Sequence, residues 1–355
     1  MHKSNHFRLR IKMMKLLNLT CLIILSFIGN NALAQTYEVS PDNDVMKLTF
    51  LGTGAPRPST ERYGPSIYIE AGDHKILVDA GPGMRERLFE AGGFAAISGV
   101  DHLLITHLHF DHTVSISSAW LSGWLFGRRV PLKIQGPVGI KDMMENIKKA
   151  YQWDVDYRVM VGVPIEGTEL IVDEVSEGVI FNEDGIKITA FPVEHMPIDV
   201  KTGKLLGLRG ETLGFRIDYK GHSVLFSGDT RSTEESRINE EGKGVDLLIH
   251  EVQVPSPGAT KEANLANVSL SVHSTPEQAG LVFTKTKPRM AVYSHIIPPG
   301  TTAEELEKDT KPYYSGPLTV AHDFMEITLA GDEIIVGERE KQSSGKFEDS
   351  NVLEK

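Results

Sequence analysis

The stretch "THLHFDH", residues 106–112, sets three histidines and an aspartate directly after the apolar run "DHLLI". A short apolar run that stops at a polar cluster reads as a buried strand ending where the cluster begins. Strand alternation puts His107 and His109 on the same side of the chain. Asp111 and His112 follow in the turn and can face a second centre nearby. Imidazole and carboxylate together suit zinc, and iron or manganese can also use such a set. One turn cannot enclose two cations, so the fold has to bring further donors to the end of this strand.

Those donors have the same placement, each a ligand-type residue just after an apolar run. "ITAFPVEH" ends at His195, "SVLFSGDT" carries Asp229, and "MAVYSH" ends at His295. Any one of them alone reads as an ordinary polar residue at a strand end. Together with the first cluster they complete two sites with three protein ligands each, the open arrangement of catalytic zinc. A carboxylate such as Asp229 can bridge two cations about 3.5–4 Å apart.

The rest of the chain supplies the layers such a site needs. β-type runs recur, among them "MKLTFLG", "SIYIEA", "KILVDAG", "PLKIQGP", "IKITAFPV", "TLGFRIDY", "HSVLFSGD", "VDLLIHE", "LTVAHD" and "FMEITL". Many are continuous apolar runs, as expected of strands buried on both faces. Helical patterns fall near 83–91, 113–122, 137–150, 275–286 and 302–310. The pattern predicts an α/β fold of sheets flanked by helices, in a single domain over residues 35–337. Segments 160–184 and 254–272 read as loops or insertions. The charged tail 338–355 reads as disordered. Trp120, Trp124 and Trp153 follow the metal motif, where core packing outweighs lining an aromatic-substrate pocket.

The N-terminus differs in kind. A basic stretch, the apolar "LLNLTCLIILSFIG" and the A-x-A pattern at Ala32 and Ala34 read as a signal peptide over residues 1–34, cut after Ala34, with a start at Met1, Met13 or Met14. The expectation is a periplasmic or secreted protein with no stable membrane span after cleavage. Cys21, the only cysteine, falls in that segment, so the mature chain has neither disulfides nor thiolate metal sites. Taking the segment's five basic residues from the chain's 37 leaves 32 against 48 acidic residues, a formal charge of −16. That balance opposes a long polyanionic partner and makes nucleic acid an unexpected one.

The order HxHxDH, His, Asp in "SGDT", then His resembles that of the metallo-β-lactamase superfamily. "LTFLGTGAPRPS", "ILVDAGPG", "DLLIHE" and "HSTPEQAG" resemble motifs of its ribonuclease Z and arylsulfatase-like branch, over about residues 46 to 300. The resemblance implies a four-layer αββα sandwich and a dinuclear metal hydrolase. It implies one zinc on His107, His109 and His195, a second on Asp111, His112 and His295, and Asp229 bridging. Asp111 and His273 are then the catalytic candidates, His273 beside the leaving group. Asp79 orients a ligand histidine. Glu251 does similar work or is a solvated carboxylate, and His250 is structural. Homodimers are common in this branch. His74, His102, His222 and His322 receive no role.

Ribonuclease Z holds tRNA with a flexible, basic Gly/Pro-rich arm, whereas residues 154–185 here are acidic. With the leader, this favours an exported hydrolase of a small sulfate ester or phosphodiester. A ribonuclease Z-like tRNA endonuclease, a lactonase-type hydrolase and a metal-holding protein without turnover are the alternatives.

Overall fold

The computed structural model describes residues 44–195, 211–255 and 269–342. The leader with Cys21, most of segment 254–272 and the last residues of the tail lie outside them.

Two mixed sheets face one another. The first contains β1 (Met46–Gly52), β2 (Ser66–Ala71), β3 (His74–Val78), β4 (His102–Leu104), β5 (Leu132–Gly136), β6 (Leu170–Glu174), β14 (Met325–Ala330) and β15 (Glu333–Glu338), in the order β15-β14-β1-β2-β3-β4-β5-β6. The second contains β7 (Gly178–Glu183), β8 (Ile186–Val193), β9 (Thr212–Tyr219), β10 (His222–Phe226), β11 (Leu247–Gln253), β12 (Met290–Ile297) and β13 (Leu318–Val320), in the order β13-β12-β11-β10-β9-β8-β7.

Period-two alternation divides the strand side chains between two kinds of apolar layer. Met46, Leu48, Phe50, Ile67, Ile69, Ile76 and Val78 meet Ile188, Phe215, Ile217, Val224, Phe226 and Ile249 between the sheets. Their sequence neighbours Leu51, Tyr68 and Leu77 face outward under α1 (Met84–Gly99) and α3 (Ile116–Leu125), with Leu88, Trp120 and Trp124. On the far side, Phe191, Leu225, Leu248 and Tyr293 pack with Phe283 of α6 (Pro276–Thr286) and Leu306 of α7 (Ala303–Thr310). The layers are therefore helix, sheet, sheet, helix, and burial of both sheet faces explains why so many strands read as continuous apolar runs.

Polarity of the strands places the site. β3, β4, β5 and β6 run parallel, as do β10, β11, β12 and β13, and β8 and β10 are each antiparallel to β9. The C-terminal ends of β3, β4, β8, β10, β11 and β12 thus gather at one rim, the usual ligand end of parallel strands. The Leu213 N–H donates to the Thr106 carbonyl at 2.8 Å and ties the sheets together there.

Three expectations are corrected. Segment 160–184 is not a loop: it forms β6 and β7, one at the edge of each sheet, and residues before it belong to α4 (Ile140–Met160). The tail does not leave the fold at Glu338. Arg339 donates to Glu70, Glu326 and the Ala91 carbonyl, and the Gln342 N–H to the Glu90 carbonyl. Trp120 and Trp124 are core residues, but Trp153 is 75% exposed, stacked on Tyr157. Among the described residues, no helix is long and apolar enough to cross a membrane.

Candidate metal centre

The chain leaves β4 at Leu104, bends at Thr106 and turns into α2 (Phe110–Thr113) after His109, whose backbone is extended. Two neighbouring groups of donors result. His107, His109, His195 and Asp229 each bring a ligand atom within 4.8 Å of the others. Asp111, His112 and His295 do the same beside them. All are buried except His109, which opens to solvent.

Asp229 lies between the groups. Its Oδ2 is 3.7 Å from His107 Nε2 and 3.8 Å from His195 Nε2, and 3.4 Å from Nε2 of both His112 and His295. Asp111 Oδ2 is 3.5 Å from the same two nitrogens of His112 and His295. One carboxylate oxygen facing imidazoles of both groups is the arrangement of a bridging ligand.

Hydrogen bonds behind the donors aim them. Asp79 Oδ2 accepts from His112 Nδ1 at 2.8 Å, and Asp79 also accepts from the Thr106 N–H and hydroxyl. His195 Nδ1 donates to the Val272 carbonyl at 2.9 Å. Each leaves Nε2 turned toward the centre, the role such partners play behind metal-bound histidines. His295 is set by the backbone: the β11–β12 register shifts beside it and its φ is 48°. A bulge with a non-glycine residue in the left-handed region is strained, and here it points a donor into the site. Gly81 shows the complementary constraint, because a Cβ there would lie 2.4 Å from the Asp111 carbonyl oxygen.

The electrostatics fit cations. Burial lowers the pKa of His107, His109 and His195, which favours neutral imidazoles, here in contact through His107 Nε2 and His109 Nδ1 at 2.8 Å. Burial would raise the Asp229 carboxyl, but His295, His112 and His107 hold it well below the usual range. Burial would lower His112, yet Asp229 and Asp79 hold it well above the usual imidazole range, so a cation bound there takes the place of its proton. Asp111 Oδ2 and Nε2 of His112 and His295 are buried without a hydrogen-bond partner. Unpaired polar atoms at this density are costly, and a coordinated cation is what such a donor set satisfies.

His273 adjoins the donors, its ring 4.8 Å from that of His195. It precedes α6, whose N-cap is Thr275, closed by a capping box with Gln278. Glu251 is not solvated: it is 3% exposed, and its Oε1 accepts from His273 Nδ1 at 3.2 Å and from the N–H groups of Thr230 and Ser274 at 3.0 Å. Burial would lower the His273 pKa, but Glu251 and Asp229 raise it to about 9. His250 is fully buried and bonded through both nitrogens, to Ser232 and to the Glu251 carbonyl. The sequence reading missed Thr106 and Ser274, whose only signal is their position next to His107 and His273. Trp120, Trp124 and Trp153 take no part here.

Comparison with known proteins gives the same frame. The model of the beta-lactamase superfamily domain matches residues 74–296. The ribonuclease Z of Mycobacterium avium (strain 104) is 30% identical over 265 residues, covering 74% of this chain and 89% of that one. In structure, the chain is similar to the metallo-beta-lactamase fold protein YhfI from Bacillus subtilis, with TM-score 0.61 at 18% identity over 81% of this chain and 100% of the other. Human tRNase Z, short form, has TM-score 0.58 at 21% identity over 79% and 98%. The chain belongs to the metallo-β-lactamase superfamily, as a hydrolase of its ribonuclease Z branch.

Proposed function

We propose that the protein is a dinuclear zinc-dependent hydrolase of phosphodiester bonds, of the ribonuclease Z type. The observation that carries this reading is Asp229 Oδ2, placed 3.4–3.8 Å from imidazoles of two adjacent donor groups. His107, His109 and His195 would hold one ion, Asp111, His112 and His295 the other, with Asp229 shared. Bound there, two zinc ions would acidify water to near-neutral pKa and offset the charge on the phosphoryl oxygens.

The chain's own residues then divide the proton work. Water oxygen attacks phosphorus and the ester oxygen departs. Asp111, which would hold the second ion through Oδ2, orients the water and takes up its proton through its other carboxylate oxygen. His273, held through Nδ1 by Glu251, carries the proton that the leaving oxygen receives. The raised His273 pKa suits an acid at neutral pH.

The curated relatives named ribonuclease Z favour an RNA phosphodiester as substrate. A second reading, an exported hydrolase of a small phosphodiester or sulfate ester, is favoured by the charge of the chain. In residues 154–185, where the family's basic arm would fall, acidic side chains predominate. A leader over residues 1–34 belongs to the same reading. The test is one comparison on zinc-loaded protein: a precursor tRNA with a 3′ trailer, an aryl phosphodiester and an aryl sulfate. Cleavage at the tRNA 3′ boundary supports the ribonuclease reading. Turnover of the small diester alone replaces it with the second, and turnover of the sulfate alone retires phosphodiesters. No turnover of any of the three leaves a metal-holding protein.

A further inference from the structure

The remaining histidines include a second cluster. His74 opens β3 and His102 opens the neighbouring parallel strand β4, with Asp101 just before it. They lie at the start of β4, whereas His107 follows its end. His74 Nδ1 is 2.7 Å from Asp101 Oδ2, and His102 Nδ1 is 3.4 Å from Asp101 Oδ1. All three residues offer ligand atoms within 4.8 Å of one another.

His102 is the informative member. It is 6% exposed, and neither ring nitrogen has a hydrogen-bond partner. Its ring packs edge-on against Phe181 of β7, at 4.5 Å between centroids, and against His74 at 5.7 Å. Those contacts serve the ring carbons, leaving Nε2 with no polar partner and Nδ1 with only the 3.4 Å approach to Asp101, which a buried imidazole rarely tolerates. The carboxylate beside it is fixed: Asp101 Oδ1 accepts from the Lys75 N–H at 3.0 Å. Asp184, exposed in the turn between β7 and β8, lies 3.5 Å from His74 Nε2, on the side of the ring away from Asp101.

We infer that His74, Asp101 and His102 form a second, separate cation site, of a chemistry that selects zinc or another imidazole-seeking divalent ion. Tetrahedral zinc with bonds of about 2.0 Å spaces its donors about 3.3 Å apart. His102 Nδ1 is 3.4 Å from Asp101 Oδ1 and His74 Nδ1 is 2.7 Å from Asp101 Oδ2, so an ion between the rings needs the carboxylate to turn or to use both oxygens. An ion there joins β3 and β4 of one sheet, at the rim away from the hydrolytic centre. The site is structural and takes no part in the chemistry.

The test counts zinc by equilibrium dialysis and elemental analysis of the folded protein, with circular dichroism confirming the fold. His102→Gln is expected to lose one equivalent per chain while kcat/KM stays within about twofold of the parent. Should His102→Gln fail to fold, half-buried His74→Gln and Asp101→Asn make the same comparison. In a His107→Ala, His112→Ala background, one equivalent should remain and vanish when His102→Gln is added. Equal zinc content with and without His102, or none remaining in that background, overturns the inference. Because stoichiometry is read apart from hydrolysis, loss of the proposed activity would leave this result standing.

Discussion

Asp79 accepts a 2.8 Å hydrogen bond from His112 Nδ1 and, through its other oxygen, a 2.8 Å bond from the Thr106 N–H, so one buried carboxylate fixes both a ligand ring and the strand end that delivers His107. Asp79 sits at φ 62°, a conformation asparagine also tolerates. Asp79→Asn should therefore keep the fold and lose the charge that sets the His112 tautomer. Partners of metal-bound histidines typically matter by about 10–100-fold in metal affinity or activity. Zinc titration and kcat/KM should both fall by that factor, and parent-like affinity in the variant would remove Asp79 from the metal centre.

Glu251 and His273 make a pH-dependent pair. An acid that must donate is lost as pH rises through its pKa, and Glu251 pushes the His273 pKa upward. Glu251→Gln keeps an oxygen to accept from Thr230 and Ser274 but removes the charge. The alkaline limb of the kcat/KM profile should move to lower pH, with activity least affected well below it. Bound cations lower both proteins' limbs and leave the sign of the difference unchanged. Superimposable limbs would show that His273 is not the acid.

The candidate donors were legible because they sit at or near the ends of apolar runs: His107 and His109 after β4, His195 after β8, Asp229 after β10 and His295 near the end of β12. β6 and β7 were not legible for the same reason in reverse. They are edge strands, and "LIVDE" and "GVIFNE" leave charged residues exposed. Arg339 reads as part of a disordered tail because its partners, Glu70 and Glu326, lie far away in sequence. Glu251 falls between these cases: its run shows that it is near buried strand, but not that three donors converge on it.

His109 is the one exposed member of its group, so its side chain contributes to the centre more than to the core. His109→Ala should leave the metal-free protein's melting temperature within a few degrees of the parent. Zinc content should drop and kcat/KM should fall by about 10²-fold or more. Zinc should also raise the parent's melting temperature, since a ligand at about 1,000 times its Kd adds about 4 kcal/mol to the folded state. The variant should show a smaller rise. Full activity in His109→Ala would sink the assignment of the first metal position.

Gly81 offers a test of the scaffold alone. The Ala80 N–H donates to the His112 carbonyl at 2.8 Å, and Gly81 leaves room for the Asp111 carbonyl in the same turn. A methyl group at Gly81 would come within 2.4 Å of that oxygen, with backbone rather than a flexible side chain in the way. The same methyl would meet Gly64 C at 2.6 Å and Pro65 N at 2.8 Å, so the 64–65 segment and the α2 turn are pushed apart, and Asp111 and His112 move with the turn. A misplacement of about 1 Å can cost about 10²-fold in rate. Gly81→Ala is therefore expected to retain a cooperative unfolding transition, with some loss of stability, while losing affinity at the Asp111–His112–His295 position more than at the His107–His109–His195 position. Zinc titration resolves the two positions as separate steps. Equal weakening of both would mean that the turn moves as one body with the β4 end.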